Sequence, residues 1–135
     1  MKIKTLGLIF ILAFLLNLVW ENLHSYLYIH YQGAKITEII LIRAALFDAF
    51  VISILAIGVI LTPRIRGKLL FAIVLSVLFA ISLERFALAT DRWAYTSAMP
   101  IIPFVNTGLT PTIQLALTFI ITYTVIVKKR HKPIG

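Results

Sequence analysis

The amino-acid sequence predicts an all-α integral membrane protein: a bundle of four transmembrane helices with both chain ends on the cytoplasmic side. Three observations predict it. The 135 residues are 61% hydrophobic and only 13% charged, against about 25% charged and 45–50% apolar in a soluble domain. The mean hydropathy is +1.00, so there is more apolar surface than one small core can hide, and lipid has to take the place of water around it. Finally, four apolar runs follow one another, separated by short basic or polar segments.

The first run covers residues 5–28, after Lys2 and Lys4. A cleavable signal peptide would begin this way, but no small-residue cleavage site follows. The run continues into Trp20-Glu21-Asn22 and a cluster of tyrosines, so it reads as a retained helix. The second run covers residues 37–62 and stops at Pro63, and the third covers 67–90. The fourth covers 110–127, where Thr110 suits the N-cap and Pro111 the first turn, in which a missing N–H costs nothing. Each run suffices to cross a hydrocarbon core of about 30 Å at about 20 residues per crossing. With no repeat and no low-complexity linker, residues 1–135 read as a single membrane domain.

Orientation follows from the basic residues. Lys2 and Lys4 precede the first helix, Arg64, Arg66 and Lys68 separate the second from the third, and Lys128, Lys129, Arg130 and Lys132 follow the fourth. An even number of crossings puts all three clusters on one side, and the positive-inside rule makes that side cytoplasmic in a cell (inner) membrane. Tyr26, Tyr28, Tyr31, Trp93 and Tyr95 gather at the opposite face, as an interfacial aromatic belt would. The net charge of +8 could suggest nucleic acid. Its distribution into clusters at span ends argues for the membrane instead. The chain has no cysteine, which excludes disulfides, thiolate chemistry and cysteine metal sites. Walker loops, Rossmann turns, nucleophile elbows and zinc-ligand arrays are also missing, so no cofactor is expected.

Almost every group capable of chemistry maps to the outer half of the bundle. Glu21, Glu38, Asp48, Glu84 and Asp91 are there, with Arg43, Arg85, Arg92, Asn17, His24 and Gln114. Ionisable groups within a membrane are costly and face the bundle interior or water, so they mark a candidate site. Asn17, Glu21, His24 and Tyr28 follow steps of four, three and four residues and form one stripe on the first helix. Glu84 and Asp91 are seven apart, as are Arg85 and Arg92, so the third helix should present two adjacent charged ridges.

Two interpretations of this cluster stay open. Glu21, Arg43, Asp48 and Glu84 could satisfy one another in a buried salt-bridge network that fixes helix packing. Alternatively they line an outward-opening pocket. There Glu21, His24 and Glu84 would be the candidates for acid–base catalysis. Asn17, Arg43, Asp48, Arg85, Asp91, Arg92 and Gln114 would bind ligand, the arginines suiting an anionic head group. Glu21-x-x-His24 has the spacing of di-iron helix bundles, but a second such motif is missing, so no metal is assigned. Residues 96–108 hold Pro100, Pro103, Asn106 and Gly108 among apolar residues. They read as a broken segment lying over the outer leaflet and bounding the pocket.

The run Glu84-Arg85-Phe86-Ala87-Leu88-Ala89-Thr90-Asp91-Arg92-Trp93-Ala94-Tyr95, with Met99-Pro100 and Gly108-Leu109-Thr110-Pro111-Thr112-Ile113-Gln114, resembles small prokaryotic four-helix integral membrane proteins without a functional assignment. The resemblance implies a prokaryotic inner membrane and carries no catalytic role.

The expected function is binding, or helping to move, a small or lipid-borne molecule in the outer-half pocket. The alternatives are a membrane-embedded acid–base enzyme for a lipid-like substrate and a structural or accessory subunit locked by its salt bridges. Membrane lipid is the expected partner. A homo-oligomer would supply the polar path to the cytoplasm that one apolar inner half lacks.

Overall fold

The structure is a computed structural model that describes residues 3–127. It is mostly helical, with four helices long and apolar enough to cross a membrane: α1 Ile3–His24, α2 Glu38–Leu61, α3 Lys68–Ala89 and α4 Leu109–Ile126. Lys2, Lys128, Lys129, Arg130 and Lys132, on which part of the orientation argument rests, lie outside the described residues.

Local chemistry explains where the helices stop. Pro63 follows α2 by two residues and cannot donate the next helical hydrogen bond. Gly67 then takes φ +75°, a left-handed conformation that only glycine enters without strain, and α3 starts at the next residue. At the other end of α3 the Thr90 hydroxyl bonds back to the Phe86 carbonyl at 2.7 Å, and Asp91 turns the chain away at φ +52°. Helix α1 ends at His24 and passes through a 3-10 turn, Ser25–Leu27, so Tyr28 opens a strand instead of extending the helix.

The all-α expectation therefore needs amendment by two short antiparallel ladders. Strand β1 (Tyr28–Tyr31) pairs with β2 (Trp93–Tyr95), setting Tyr28 opposite Tyr95 and Tyr31 opposite Trp93. Strand β3 (Ile101–Ile102) pairs with β4 (Thr107–Gly108). After β1 the chain reverses through Gln32 and Gly33, both at positive φ (50° and 77°), as in the primed two-residue turns that match strand twist. Both ladders sit at one end of the bundle, called here the strand end. The turn carrying Arg64 and Arg66 marks the other, basic end.

Packing is uneven between the helices. Helix α1 lies along α2, and α4 rests on both α1 and α3; the small residues Ala13 of α1 and Ala45 and Ala49 of α2 are fully buried, as close helix packing requires. Contact between α2 and α3 is sparse. Towards the basic end, Ile9, Ile52, Ala56, Val59, Leu115 and Phe119 form a continuous apolar core. Outside it, Leu15, Val19 and Leu23 on α1, Phe71 and Leu78 on α3, and Leu117 and Ile121 on α4 are exposed. So large an apolar surface suits lipid better than water.

Candidate functional site

Phe47 of α2 and Phe79 of α3 stack with ring centroids 6.2 Å apart. From there towards the strand end the space between these helices opens into a cavity of about 370 Å³. That size falls in the range of about 300–1,000 Å³ usual for small-molecule sites, which are mostly apolar with a few convergent polar groups. Here the apolar walls include Ile40, Leu41, Ala44, Ala80, Leu83 and Leu115, and the polar groups are Glu21, His24, Asp48, Glu84 and Gln114. Tyr28, Tyr31 and Trp93 close the strand end, and Arg43 and Arg92 stand on the rim, both exposed.

The floor is organised by one amide. Gln114 Nε2 lies 2.7 Å from Glu21 Oε1, 2.9 Å from Asp48 Oδ2 and 3.1 Å from Asn17 Oδ1. It has two hydrogens for three acceptors. Asn17 is fully buried, and its own amide donates to the Ala13 carbonyl at 2.8 Å, which turns its oxygen towards Gln114. Glu21 and Asp48, from different helices, are held around the same amide nitrogen. Helical spacing brings these groups together: Asn17, Glu21 and His24 share one face of α1, while Gln114 and Thr118 share one of α4.

His24 sits beside this knot, with Nε2 3.2 Å from Glu21 Oε2 and Nδ1 3.2 Å from Thr110 Oγ1. If the Nε2 proton faces Glu21, Nδ1 is left to accept from the Thr110 hydroxyl. The rings of Trp20 and Tyr28 meet His24 edge-on and hold its plane.

Glu84 forms a second centre. Tyr95 donates a short hydrogen bond to Oε2, Trp93 Nε1 donates to the same oxygen at 3.2 Å, and Tyr28 donates to Oε1 at 3.5 Å. The Tyr95 oxygen also accepts the Gly108 N–H at 3.0 Å, which links α3 to the start of α4. Burial first, then the neighbouring Glu84 carboxylate, pushes the Tyr28 phenol well above its ordinary 10.0. Tyr95 is pushed up too, by burial and then by its hydrogen bond to Glu84.

The structure thus brings Glu21, His24, Arg43, Asp48, Glu84, Arg92 and Gln114 around one cavity, with Asn17 directly beneath. Arg85 and Asp91 are elsewhere. Because α3 stops at Ala89, the seven-residue ridges do not persist. Asp91 lies past the helix and faces His30 Nε2 at 3.5 Å. Arg85 donates to the Val105 carbonyl at 3.2 Å and braces the β3–β4 turn.

The expected mutual ion pairing of Arg43 with Glu21, Asp48 and Glu84 is absent. Among the described residues no Lys or Arg lies within 4.0 Å of a carboxylate, and the ion pairs involve His24–Glu21 and His30–Asp91. The donors to the three carboxyls are an amide, an indole, two phenols and an imidazole. Among the described residues no three His, Asp or Glu side chains converge as a metal site, and Glu21 and His24 bind each other.

Residues 96–108 do not bound the cavity either. The Thr96 N–H bonds the Leu27 carbonyl at 2.8 Å and the Leu109 N–H bonds the Pro100 carbonyl at 2.7 Å, which folds this stretch back on itself. The cover comes instead from β1 and β2. Sequence reasoning took Trp93 and Tyr95 for belt residues and Thr110 for a cap, and so missed them as partners of Glu84 and His24. A signal was available: both are aromatic side chains with a polar tip, nine and eleven positions beyond a helical carboxylate. No protein-family model matches the chain, and neither curated proteins nor solved structures provide a match.

Proposed function

We propose that this is a multi-pass inner-membrane protein, with both termini cytoplasmic, that binds a small or lipid-borne molecule in the outer half of its bundle. One observation carries the binding reading: three carboxyls face a cavity of about 370 Å³ with only neutral or imidazole donors among the described residues to satisfy them. A scaffold would be expected to fill such a space with counter-charges, since uncompensated carboxylates in a low-dielectric region are costly. Asp48 accepts from Gln114 through Oδ2 and has acceptor capacity left for a donor on an incoming molecule.

The sparse α2–α3 contact supports entry from the side, because the β1–β2 ladder covers the end of the bundle. Among the described residues the core near the basic end is built from apolar side chains, with Ile9, Ile52, Val59 and Phe119, and its buried polar groups are hydroxyls such as Thr122. That favours binding over conduction by a single copy. Lys4 at the start of α1 and Arg64 and Arg66 at the α2–α3 turn support the cytoplasmic assignment of that end.

Native mass spectrometry tests the reading. The purified protein should retain a bound small molecule or lipid, and Ala44→Phe, which places a ring in the cavity without touching the Gln114 knot, should release it. Equal retention by the variant would rule out this cavity as the site. Topology has its own test, because the chain lacks cysteine. Ser97→Cys in intact cells should react with an impermeant maleimide, and Arg66→Cys should not.

A second reading, a membrane-embedded acid–base enzyme, is favoured by the series Glu21–His24–Thr110, in which a carboxylate orients an imidazole beside a hydroxyl. Chemical conversion of a retained lipid by the native protein, lost in His24→Gln while retention survives, would establish it. Retention without conversion leaves the binding protein.

A further inference from the structure

Resting on the binding reading above, we infer that the cavity takes the head group of a zwitterionic phospholipid, with a primary ammonium against the carboxyls and the phosphate at the arginine rim. The charge pattern is the first support. Inside, Glu21, Asp48 and Glu84 meet no Lys or Arg within 4.0 Å among the described residues. At the mouth, Arg43 and Arg92 have no carboxylate partner within the same distance among the described residues, and Arg92 rests over the Phe86 ring at 5.3 Å. A ligand that answers both regions carries a cation deep in the site and an anion near its entrance.

The walls narrow the cation. Tyr28 and Trp93 meet edge-to-face with centroids 6.2 Å apart, and Tyr31 stacks on Trp93 at 6.2 Å. Aromatic walls beside carboxyls suit an ammonium, through both ring quadrupoles and hydrogen bonds. Glu21 and Asp48 share one amide with two hydrogens, so an ammonium with three N–H donors supplies what the floor lacks. A quaternary ammonium has no such donors. The anion site is a rim of arginine forks, which suit phosphate oxygens.

Size and opening argue for a lipid over a free metabolite. About 370 Å³ corresponds to on the order of a dozen water-sized units at about 30 Å³ each. That accommodates a phosphoethanolamine and part of its glycerol, but not two acyl chains as well. The side between α2 and α3 carries Ile40, Phe47, Phe79 and Leu83, an apolar passage along which chains would leave into the bilayer. A water-soluble ligand has no use for it.

The test is native mass spectrometry of the full chain in detergent with equimolar phosphatidylethanolamine, phosphatidylcholine and phosphatidylglycerol. The expected result is at least a ten-fold preference for phosphatidylethanolamine over each of the others. Arg43→Gln and Arg92→Gln, both at exposed positions where folding is not at stake, should each lower that preference several-fold. Ala44→Phe should abolish it. Phosphatidylglycerol or phosphatidylcholine binding as well as phosphatidylethanolamine, with the same loss in Ala44→Phe, overturns the head-group inference and leaves the cavity as a binding site. Adducts that ignore Ala44→Phe overturn both readings. Glycerophosphoethanolamine displacing the lipid at equal concentration overturns the lipid source and leaves the phosphoethanolamine chemistry.

Discussion

The two halves of this bundle solve the same packing problem with different means. Near the basic end, Ile9, Ile52, Val59, Leu115 and Phe119 fill space with apolar shape. Near the strand end, Asn17, Glu21, His24, Asp48, Glu84 and Gln114 are held by specific hydrogen bonds around an opening. Apolar packing is non-directional and close to additive, so it tolerates exchange at constant volume. A buried polar network is directional, and one missing donor leaves every acceptor it served unsatisfied. The difference implies that the strand half carries the specificity of the molecule and the basic half carries undirected cohesion.

The sharpest way to break that contrast is Gln114→Leu, a change of similar size that removes the amide shared by Asn17, Glu21 and Asp48. It should cost about 2–4 kcal/mol, since the three acceptors that share its two hydrogens lose that donor at once. Thermal unfolding in detergent measures it, and a shift no larger than that of an apolar swap would show the network to be slack. Glu84→Gln comes next. Whichever way the amide sits, its new NH₂ group replaces an acceptor, facing Tyr28 at the Oε1 position or Trp93 and Tyr95 at the Oε2 position, and only one amide oxygen remains to accept. About 1–3 kcal/mol should be lost. If both variants keep their stability but lose ligand retention, the polar groups serve the ligand more than the fold. If both fail to accumulate, the network is mainly structural.

The fold was legible where physics acts locally. Long apolar runs and Pro63 marked four helices, because hydropathy and N–H availability are properties of neighbouring residues. The cap assigned to Thr110 was misplaced, since α4 starts at Leu109 with Gly108 as its N-cap, although Pro111 does fall in the first turn. The polar face of α1 was legible from spacing for the same reason. The ladders were not. Strand β2 is three residues long and pairs with a strand more than sixty positions earlier, and no local periodicity signals that. The stripe continued to Tyr28 on paper, but the 3-10 turn after His24 delivers Tyr28 to Glu84 by another route. Asp91 failed for a related reason: equal spacing from Glu84 means a shared face only while the helix lasts. The pairing of arginines with carboxylates was a charge-balance expectation, and balance over a region does not place partners within reach.

The apolar half should yield smaller effects. Ile52 is fully buried against that core, and Ile52→Leu conserves its volume. It should cost under about 1.5 kcal/mol, with ligand retention unchanged. A larger loss would mean that this core is as shape-specific as the network above it, and the contrast between the halves would fade.

The smallest effect is an alkaline pH dependence carried by two phenols. Tyr28 and Tyr95 are both pushed up in the fold from an ordinary 10.0. The unfolded chain therefore releases these protons at a pH where the folded chain still holds them, and folding stability falls with rising pH. The contribution is fully present below the ordinary value and is lost progressively above it. Melting temperature in detergent should be insensitive to these groups up to about pH 9–10 and decline beyond, with a shallower decline in Tyr95→Phe. Tyr26 gives the internal control, since it is exposed and outside the Glu84 centre. An alkaline slope altered by Tyr26→Phe and not by Tyr95→Phe would locate the sensitive phenol outside the site, and would detach the strand-end cover from the Glu84 centre.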